Sequence, residues 1–592
     1  MKGLLQSTYF LCLYQGLIEA TQVIQWSTCP PGQPTSSYII QCANLTFPLN
    51  YNNHAMGNVT AFIRRQYVKK PTNSGLWLVA GGPGDSTITL AGPMCDYFIG
   101  SNNSFTCYTQ DARGTGLSSY MSCGKNQPAG PFDPYNSSQV KAFSNCFNKI
   151  KNQYGSVLQY YSTYNAAKDL LGGIQAINPS LVHIYAQSFG TYAINTYLQL
   201  PGARADVIVL DGPVPTNRWP LENNAEWASQ VAQDVAYGCV SNSSVCSSRL
   251  STMAHIPKLV MDSIIDGSLP CLQNLTWLRA TDGQFWTSIY NNYCIGGPSR
   301  STAHICLAPF WYRLHRCSSS DVTQLNFFHK YQQGVQFSPL NWLSYSYGVS
   351  IAIGTSEVYS YSKSPLSYSQ QVQRSARMFA SAGVEMLVAY ARNVTDMPLY
   401  TVNPSVYMKF AQPTVPVLIL VGTYDANTEN GLGYWLQQGL GKNATLLNVP
   451  YNSHITVAYD NPCVDGIVLE FFNSLGTSYD ASCLQQYQEP DWDGSTQTSR
   501  NYSYQIFGTH DLWNDNYAVD VPSSTTTTSC PSTSCDCQCT NYNITAIVCG
   551  IVIPLAAIII ALVVYIVLIL RKKKAEGTVS KGADMIESPL GK

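Results

Sequence analysis

Residues 181–200 read LVHIYAQSFGTYAINTYLQL: seven residues of strand character, a serine, then apolar residues at helical spacing. A continuous apolar strand that turns at once into a helix needs cover on both faces, which points to a mostly parallel sheet between two helical layers. The alternation recurs. LWLVA (76–80) ends in the turn GGPGDS, FTCYTQ (105–110) ends in DARGTG, and DVIVLDG (206–212) is another strand run. Ser162 stands as the N-cap of a helix over STYNAAKDLLGGIQAIN. TVPVLILVGTYD (414–425) and TLLNVPYNSH (445–454) add two strands, and GIVLEFFNSLG (466–476) a closing amphipathic helix. Residues 213–412 break the pattern with an irregular, aromatic stretch rich in possible helices, which predicts a large, mainly helical cap inserted over the strand ends.

The turns after the strands carry the reactive side chains. Ala186-Gln187-Ser188-Phe189-Gly190 is a relative of the G-x-S-x-G elbow, which needs small neighbours because strand and helix pack closely. An ordinary buried serine at a helix start would look similar, so the rest of a catalytic set has to be found. Asp425 follows the 414–425 strand and His454 the next, which gives the order serine, acid, histidine. Asp211, at the end of VIVLDG, competes for the acid role; the strand-to-loop relation to His454 favours Asp425. His183, His304, His315 and His329 bear no relation to the closing strand and read as structural or surface residues. Gly81-Gly82-Pro83-Gly84 lets the backbone approach a substrate, so the oxyanion donors are predicted as the N–H groups of Phe189 and of Gly82 or its neighbour Gly81. No metal-type spacing occurs in the body of the chain, and no cofactor is predicted.

Taken together, GGPGDS (81–86), DARGTGLSS (111–119), AQSFGTYAINTYLQLP (186–201), VIVLDG (207–212), PVLILVGTYDANT (416–428) and NSHITVAYDNPCVDGIVLEFFNSLG (452–476) resemble the prolyl iminopeptidase and tripeptidyl aminopeptidase family of α/β-hydrolase serine exopeptidases. The resemblance covers about residues 30–480. It implies an α/β-hydrolase fold, catalytic Ser188, Asp425 and His454, release of residues from peptide N-termini, and acidic cap residues that hold the free amine. Glu357 in AIGTSEVYS resembles the acidic end of a cap motif, with Glu222 and Glu226 as alternatives. The chain departs from the family in having Ala186 for glycine, Ala80 for histidine, and Ser453 for glycine before His454. A surface esterase or lipase on the same scaffold, or a non-catalytic adhesion or receptor ectodomain, are the competing readings.

The termini set the compartment. Residues 544–570 are apolar and uncharged, enough as a helix to reach roughly 40 Å and cross a bilayer with some tilt. Arg571, Lys572, Lys573 and Lys574 follow, which places the 571–592 tail in the cytoplasm and the preceding chain outside. Such a topology requires an export signal, read at residues 1–20. Setting aside Cys12 and Cys549 leaves 18 of the 20 cysteines outside the cell, where disulfides form; Cys239 with Cys246 and Cys463 with Cys483 are plausible local pairs. Sequons at Asn44, Asn58, Asn102, Asn136, Asn242, Asn274, Asn393, Asn443, Asn501 and Asn543 fit a glycoprotein. The predicted parts are a signal (1–20), a core split between 21–212 and 413–485, a cap (213–412), a C-terminal extension and Ser/Thr/Cys-rich stalk (486–543), a transmembrane helix (544–570) and a tail (571–592). Stalk residues Cys530, Cys535, Cys537 and Cys539 pair within the stalk or link two chains, with a metal site as the lesser alternative. A formal charge of −1 without a basic stripe excludes nucleic acid as the main partner; peptides are the expected substrates.

Overall fold

The computed structural model describes residues 23–514, apart from 33, 35, 103–104, 125–127, 129–131, 133, 135, 251–255, 279–302, 335–343, 363, 379–382, 398 and 458–460. The predicted signal, stalk, transmembrane helix and tail lie outside the described residues. Among the described residues no helix is long and apolar enough to cross a membrane.

Eight strands form one sheet in the order β1-β2-β4-β3-β5-β6-β7-β8. They are β1 (Ile39–Pro48), β2 (Asn58–Tyr67), β3 (Ser74–Val79), β4 (Thr106–Gln110), β5 (Leu181–Gln187), β6 (Val207–Asp211), β7 (Val417–Gly422) and β8 (Ala444–Val449). β1 with β2 and β2 with β4 are antiparallel; every other pair is parallel. This order is that of an α/β-hydrolase. The antiparallel β1–β2 hairpin has no counterpart in the sequence reading. Its strands mix polar and apolar positions, and β2 carries Arg64 and Arg65, which hide the period-2 signal.

The central parallel strands β3, β5, β6 and β7 read as largely apolar runs because both of their faces are covered. On β6, Ile208 and Leu210 join one core and Val207 and Val209 the other. On β7, Ile419 and Val421 oppose Leu418 and Leu420 in the same way, as the two-residue period of a strand requires. Helices Thr163–Ile177, Phe189–Tyr197 and Gly431–Leu440 cover the first face through Ala167, Ile194 and Leu436. Helices Pro93–Asn102 and Pro462–Asn473 cover the second through Phe98, Ile467 and Phe471.

The described residues between β6 and β7 contain helices and no strand. Part of this region packs on helix Ser137–Tyr154, which belongs to the excursion between β4 and β5: Phe143 and Phe147 share a core with Tyr347, Val388 and Tyr390. Another part is completed by the chain's C-terminal extension. Trp492, Ile506, Phe507 and Trp513 are buried among Phe310, Trp311 and Phe328, so residues 486–514 are built into the folded body ahead of any stalk. Six disulfides join described cysteines: Cys29–Cys42, Cys95–Cys107, Cys123–Cys146, Cys239–Cys246, Cys271–Cys317 and Cys463–Cys483.

Candidate active site

The carboxyl ends of β3, β5, β6, β7 and β8 lie side by side in the sheet, and the loops that leave them assemble the site. Ser188 links β5 to its helix at φ 53° and ψ −130°, a conformation that costs a non-glycine residue and persists only where the surroundings enforce it. Three contacts do so. The Ser188 N–H donates to the Asp211 carbonyl at 2.7 Å, and its own carbonyl accepts from the Thr191 N–H at 2.9 Å and the Thr191 hydroxyl at 2.8 Å. Small neighbours leave the required room: a Cβ on Gly190 would fall 2.7 Å from the carbonyl oxygens of Val79 and Ala80.

Gly81 lies against the serine from the other side. A Cβ there would come within 2.7 Å of Ser188 Cβ and 3.2 Å of Oγ. Gly82 follows at φ 105°, in the left-handed region that glycine adopts without strain. The Phe189 N–H, at the first residue of its helix, has no intrahelical acceptor, and the helix dipole favours an anion in front of it. Asp111 fixes the turn that follows Gly82: its carboxylate accepts from the Ser86 hydroxyl at 2.7 Å, the Thr87 N–H at 2.9 Å and hydroxyl at 2.8 Å, and the Leu117 N–H at 2.9 Å. Behind it, Arg113 grips Asp169 through Nε and Nη2 at 2.7 and 2.6 Å and also donates to the Leu49 and Tyr160 carbonyls.

His454 Nδ1 lies 2.9 Å from Asp425 Oδ2 and 3.0 Å from Oδ1. Asp425 is fully buried, and three further donors hold it: the N–H groups of Asn427 and Thr428 on Oδ1 at 2.9 and 2.7 Å, and the Thr428 hydroxyl on Oδ2 at 2.6 Å. Burial alone would push the imidazole below its ordinary pKa. Asp425 opposes it through charge and hydrogen bond, Asp211 and Asp85 add in the same direction, and together they make the net shift upward. Among the described residues the Ser188 hydroxyl is committed to no hydrogen bond.

Asp211, the competing acid, has other partners. Its carboxylate takes the Thr456 N–H at 2.9 Å, the Val457 N–H at 2.8 Å, the Thr456 hydroxyl at 3.1 Å and the Tyr185 hydroxyl at 3.0 Å. It anchors the loop that carries His454, just as its carbonyl anchors Ser188. Gly212 completes the fit, since a Cβ there would sit 2.9 Å from His454 Cε1. His183 is a core residue packed edge-on to Phe105 and Phe472.

The three glutamates singled out from the cap are each engaged within the protein. Glu357 accepts from the Thr163 N–H at 3.0 Å, the Tyr400 hydroxyl at 2.6 Å and the Tyr192 hydroxyl at 3.4 Å. It caps the 163–177 helix in place of Ser162, which occupies the N-cap position without a capping hydrogen bond. Burial raises the Glu357 pKa, and these donors pull it back. It lines a cavity of about 200 Å³ with Tyr51, Lys168, Tyr192 and Tyr400, whose walls do not include Ser188, Asp425 or His454. Glu222 accepts from the Ser360 hydroxyl and the Leu366 N–H, and Glu226 pairs with Arg374. Asp85, which the sequence shows only as part of a turn, is a third acid, after Asp425 and Asp211, that acts electrostatically on His454. Its signal is its position at the end of the glycine turn whose first residue, Gly81, faces Ser188. Among the described residues no cluster of three or more His, Cys, Asp or Glu side chains is arranged to hold a metal ion.

The family model of TAP-like proteins within the α/β-hydrolases matches residues 386–483, a stretch that contains Asp425 and His454 and stops well short of Ser188. No curated protein matches the sequence. Among solved structures, similarity extends to a proline iminopeptidase from Mycobacterium smegmatis (10% identity, 73% of this chain and 98% of that one, TM-score 0.34). It extends also to an esterase from Thermogutta terrifontis (12%, 73% and 99%, TM-score 0.29). A third is a 2-hydroxy-6-oxo-6-phenylhexa-2,4-dienoate hydrolase from Rhodococcus sp. strain RHA1 (14%, 74% and 100%, TM-score 0.33). The matching family model and the strand order agree on the fold of an α/β-hydrolase.

Proposed function

We propose that the chain is a membrane-anchored extracellular serine peptidase that removes residues or short peptides from peptide N-termini. The observation that carries the reading is the His454–Asp425 pair at 2.9 Å, set on the loops beside a serine held at φ 53°. In this scheme Ser188 Oγ attacks the scissile carbonyl and passes its proton to His454 Nε2. Asp425, on Nδ1, fixes the tautomer and stabilises the imidazolium. The Phe189 and Gly82 N–H groups take the oxyanion, a contribution of roughly 3–4 kcal/mol per donor. His454 then protonates the leaving amine, and water, activated by the same imidazole, hydrolyses the acyl-enzyme.

The setting is part of the proposal. Six disulfides and the exposure of Asn44, Asn58, Asn242, Asn274, Asn393 and Asn501 support passage through an oxidising, glycosylating compartment. The apolar run at 544–570 supplies a single anchor, and the stalk cysteines supply a route to a disulfide-linked dimer. The test uses the full-length protein, a fluorophosphonate probe and peptidyl-coumarin substrates with free or blocked N-termini. Wild type should label and release coumarin from free N-termini, and Ser188→Ala should do neither while it stays folded. An unchanged peptidase rate in folded Ser188→Ala refutes the scheme; labelling with ester turnover alone shifts the reading to an esterase.

A further inference from the structure

The turn that brings Gly81 and Gly82 to Ser188 continues through Gly84 into Asp85. It is a tight turn: a Cβ at Gly82 would lie 2.8 Å from the Asp85 nitrogen, so Asp85 begins beside the predicted oxyanion donor. Its backbone is stitched to the inserted helical region. Asp85 and Tyr345 form an antiparallel bridge, flanked by the Ser86 N–H on the Ser344 carbonyl and the Ser346 N–H on the Gly84 carbonyl, both at 2.9 Å. Asp85 therefore sits at the seam between sheet and cap, on the rim of the proposed catalytic centre.

Its carboxylate is unlike the other acids around it. Asp111, Asp211, Asp425 and Glu357 each hold three or more donors. Asp85 is half-buried, and among the described residues it accepts no hydrogen bond and pairs with no cation at contact distance. The ionisable groups that face it are His454 and Tyr345. Burial pushes its pKa up to about 6, and the nearby imidazole pulls in the opposite direction. A carboxylate withdrawn from water without donors carries an unfavourable desolvation that a cation supplied by a ligand would relieve.

We propose that Asp85 receives the N-terminal ammonium of the substrate. This rests on the peptidase reading above and names the group that would make the enzyme an exopeptidase. Glu357, Glu222 and Glu226 each hold a partner inside the protein, although Glu226 Oε2 has none, whereas Asp85 ends the turn whose first glycine, Gly81, lies against Ser188.

The experiment compares alanine methyl ester with N-acetylalanine methyl ester, read by titration of the acid released, in full-length wild type, Asp85→Asn and Asp85→Glu. Esters report the amine preference whether or not the enzyme cleaves amides. Wild type should favour the free amine, and Asp85→Asn should cut the ratio of the two kcat/KM values at least tenfold, chiefly through KM. Asp85→Glu, which keeps the charge but displaces it by a methylene, should fall between them. It carries the same comparison if the Asn variant does not fold. An equal ratio in wild type and the variants overturns the assignment of Asp85. A wild-type protein that fails to react with fluorophosphonate instead strikes the Ser188 reading, so the two failures are distinguishable.

Discussion

Replacing Asp425 with asparagine tests the core of the proposed chemistry because the substitution preserves shape and changes only donors and charge. In the native site Oδ1 accepts two backbone N–H groups, from Asn427 and Thr428. Oδ2 accepts the Thr428 hydroxyl and faces His454 Nδ1 at 2.9 Å. An amide cannot put its NH2 at the Oδ1 position without facing two donors, so the nitrogen goes to Oδ2. The Thr428 hydroxyl can rotate to accept from it. His454 can satisfy it only by presenting Nδ1 as an acceptor, which moves the ring proton to Nε2, the atom that must take the serine proton. The tautomer is then wrong and the imidazolium has lost its counter-charge. In a serine–histidine–aspartate triad this costs about 10⁴-fold in kcat, or about 5.4 kcal/mol of transition-state stabilisation. The assay is ester turnover and fluorophosphonate labelling rate at neutral pH, with a thermal melt to show that the fold survives. A labelling rate within tenfold of wild type for Asp425→Asn, with a collapse for Asp211→Asn, would refute the tautomer reasoning and hand the acid role to Asp211.

Two further outcomes follow from the same geometry. His454 must be neutral to act as base, and its acidic neighbours hold it above the ordinary histidine value of 6.5, so activity should rise through a pH limb above 6.5; the Asp85→Asn variant should move that limb downward, and a kcat/KM profile against pH reads both. Arg113→Ala leaves Asp169 as a buried, uncompensated carboxylate and should cost about 3–5 kcal/mol of stability, measured by denaturant unfolding.

The positions of the three proposed catalytic residues are legible in the sequence because each follows a strand-like run. Ser188 follows β5, Asp425 follows β7 and His454 follows β8; burial of β5 and β7 on both faces made their runs conspicuous, whereas the edge strand β8 is buried only at Ala444 and Val449. What could not be read depends on contacts remote in sequence. Glu357 lies 194 positions from the Thr163 N–H that it caps, and a carboxylate in a helical run looks the same whether it binds a ligand or a helix end. Asp85 was visible as a letter in GGPGDS, but its lack of donors is a fact of the fold alone. The extension at 486–514 reads as polar, with isolated aromatics such as Trp492 and Trp513; only the cap helices show that they fill a core. The hairpin of β1 and β2 was hidden by its arginines, one of which, Arg64, is buried against Gln66.

Asp211 has one more consequence. Its carbonyl holds the Ser188 amide and its carboxylate holds the amides of Thr456 and Val457, so a single residue is the gauge between nucleophile and base. The turn that carries the hydroxyl and the loop that carries the imidazole are thus tied to one residue of the sheet. The helices above can then differ without changing that link between nucleophile and base below them.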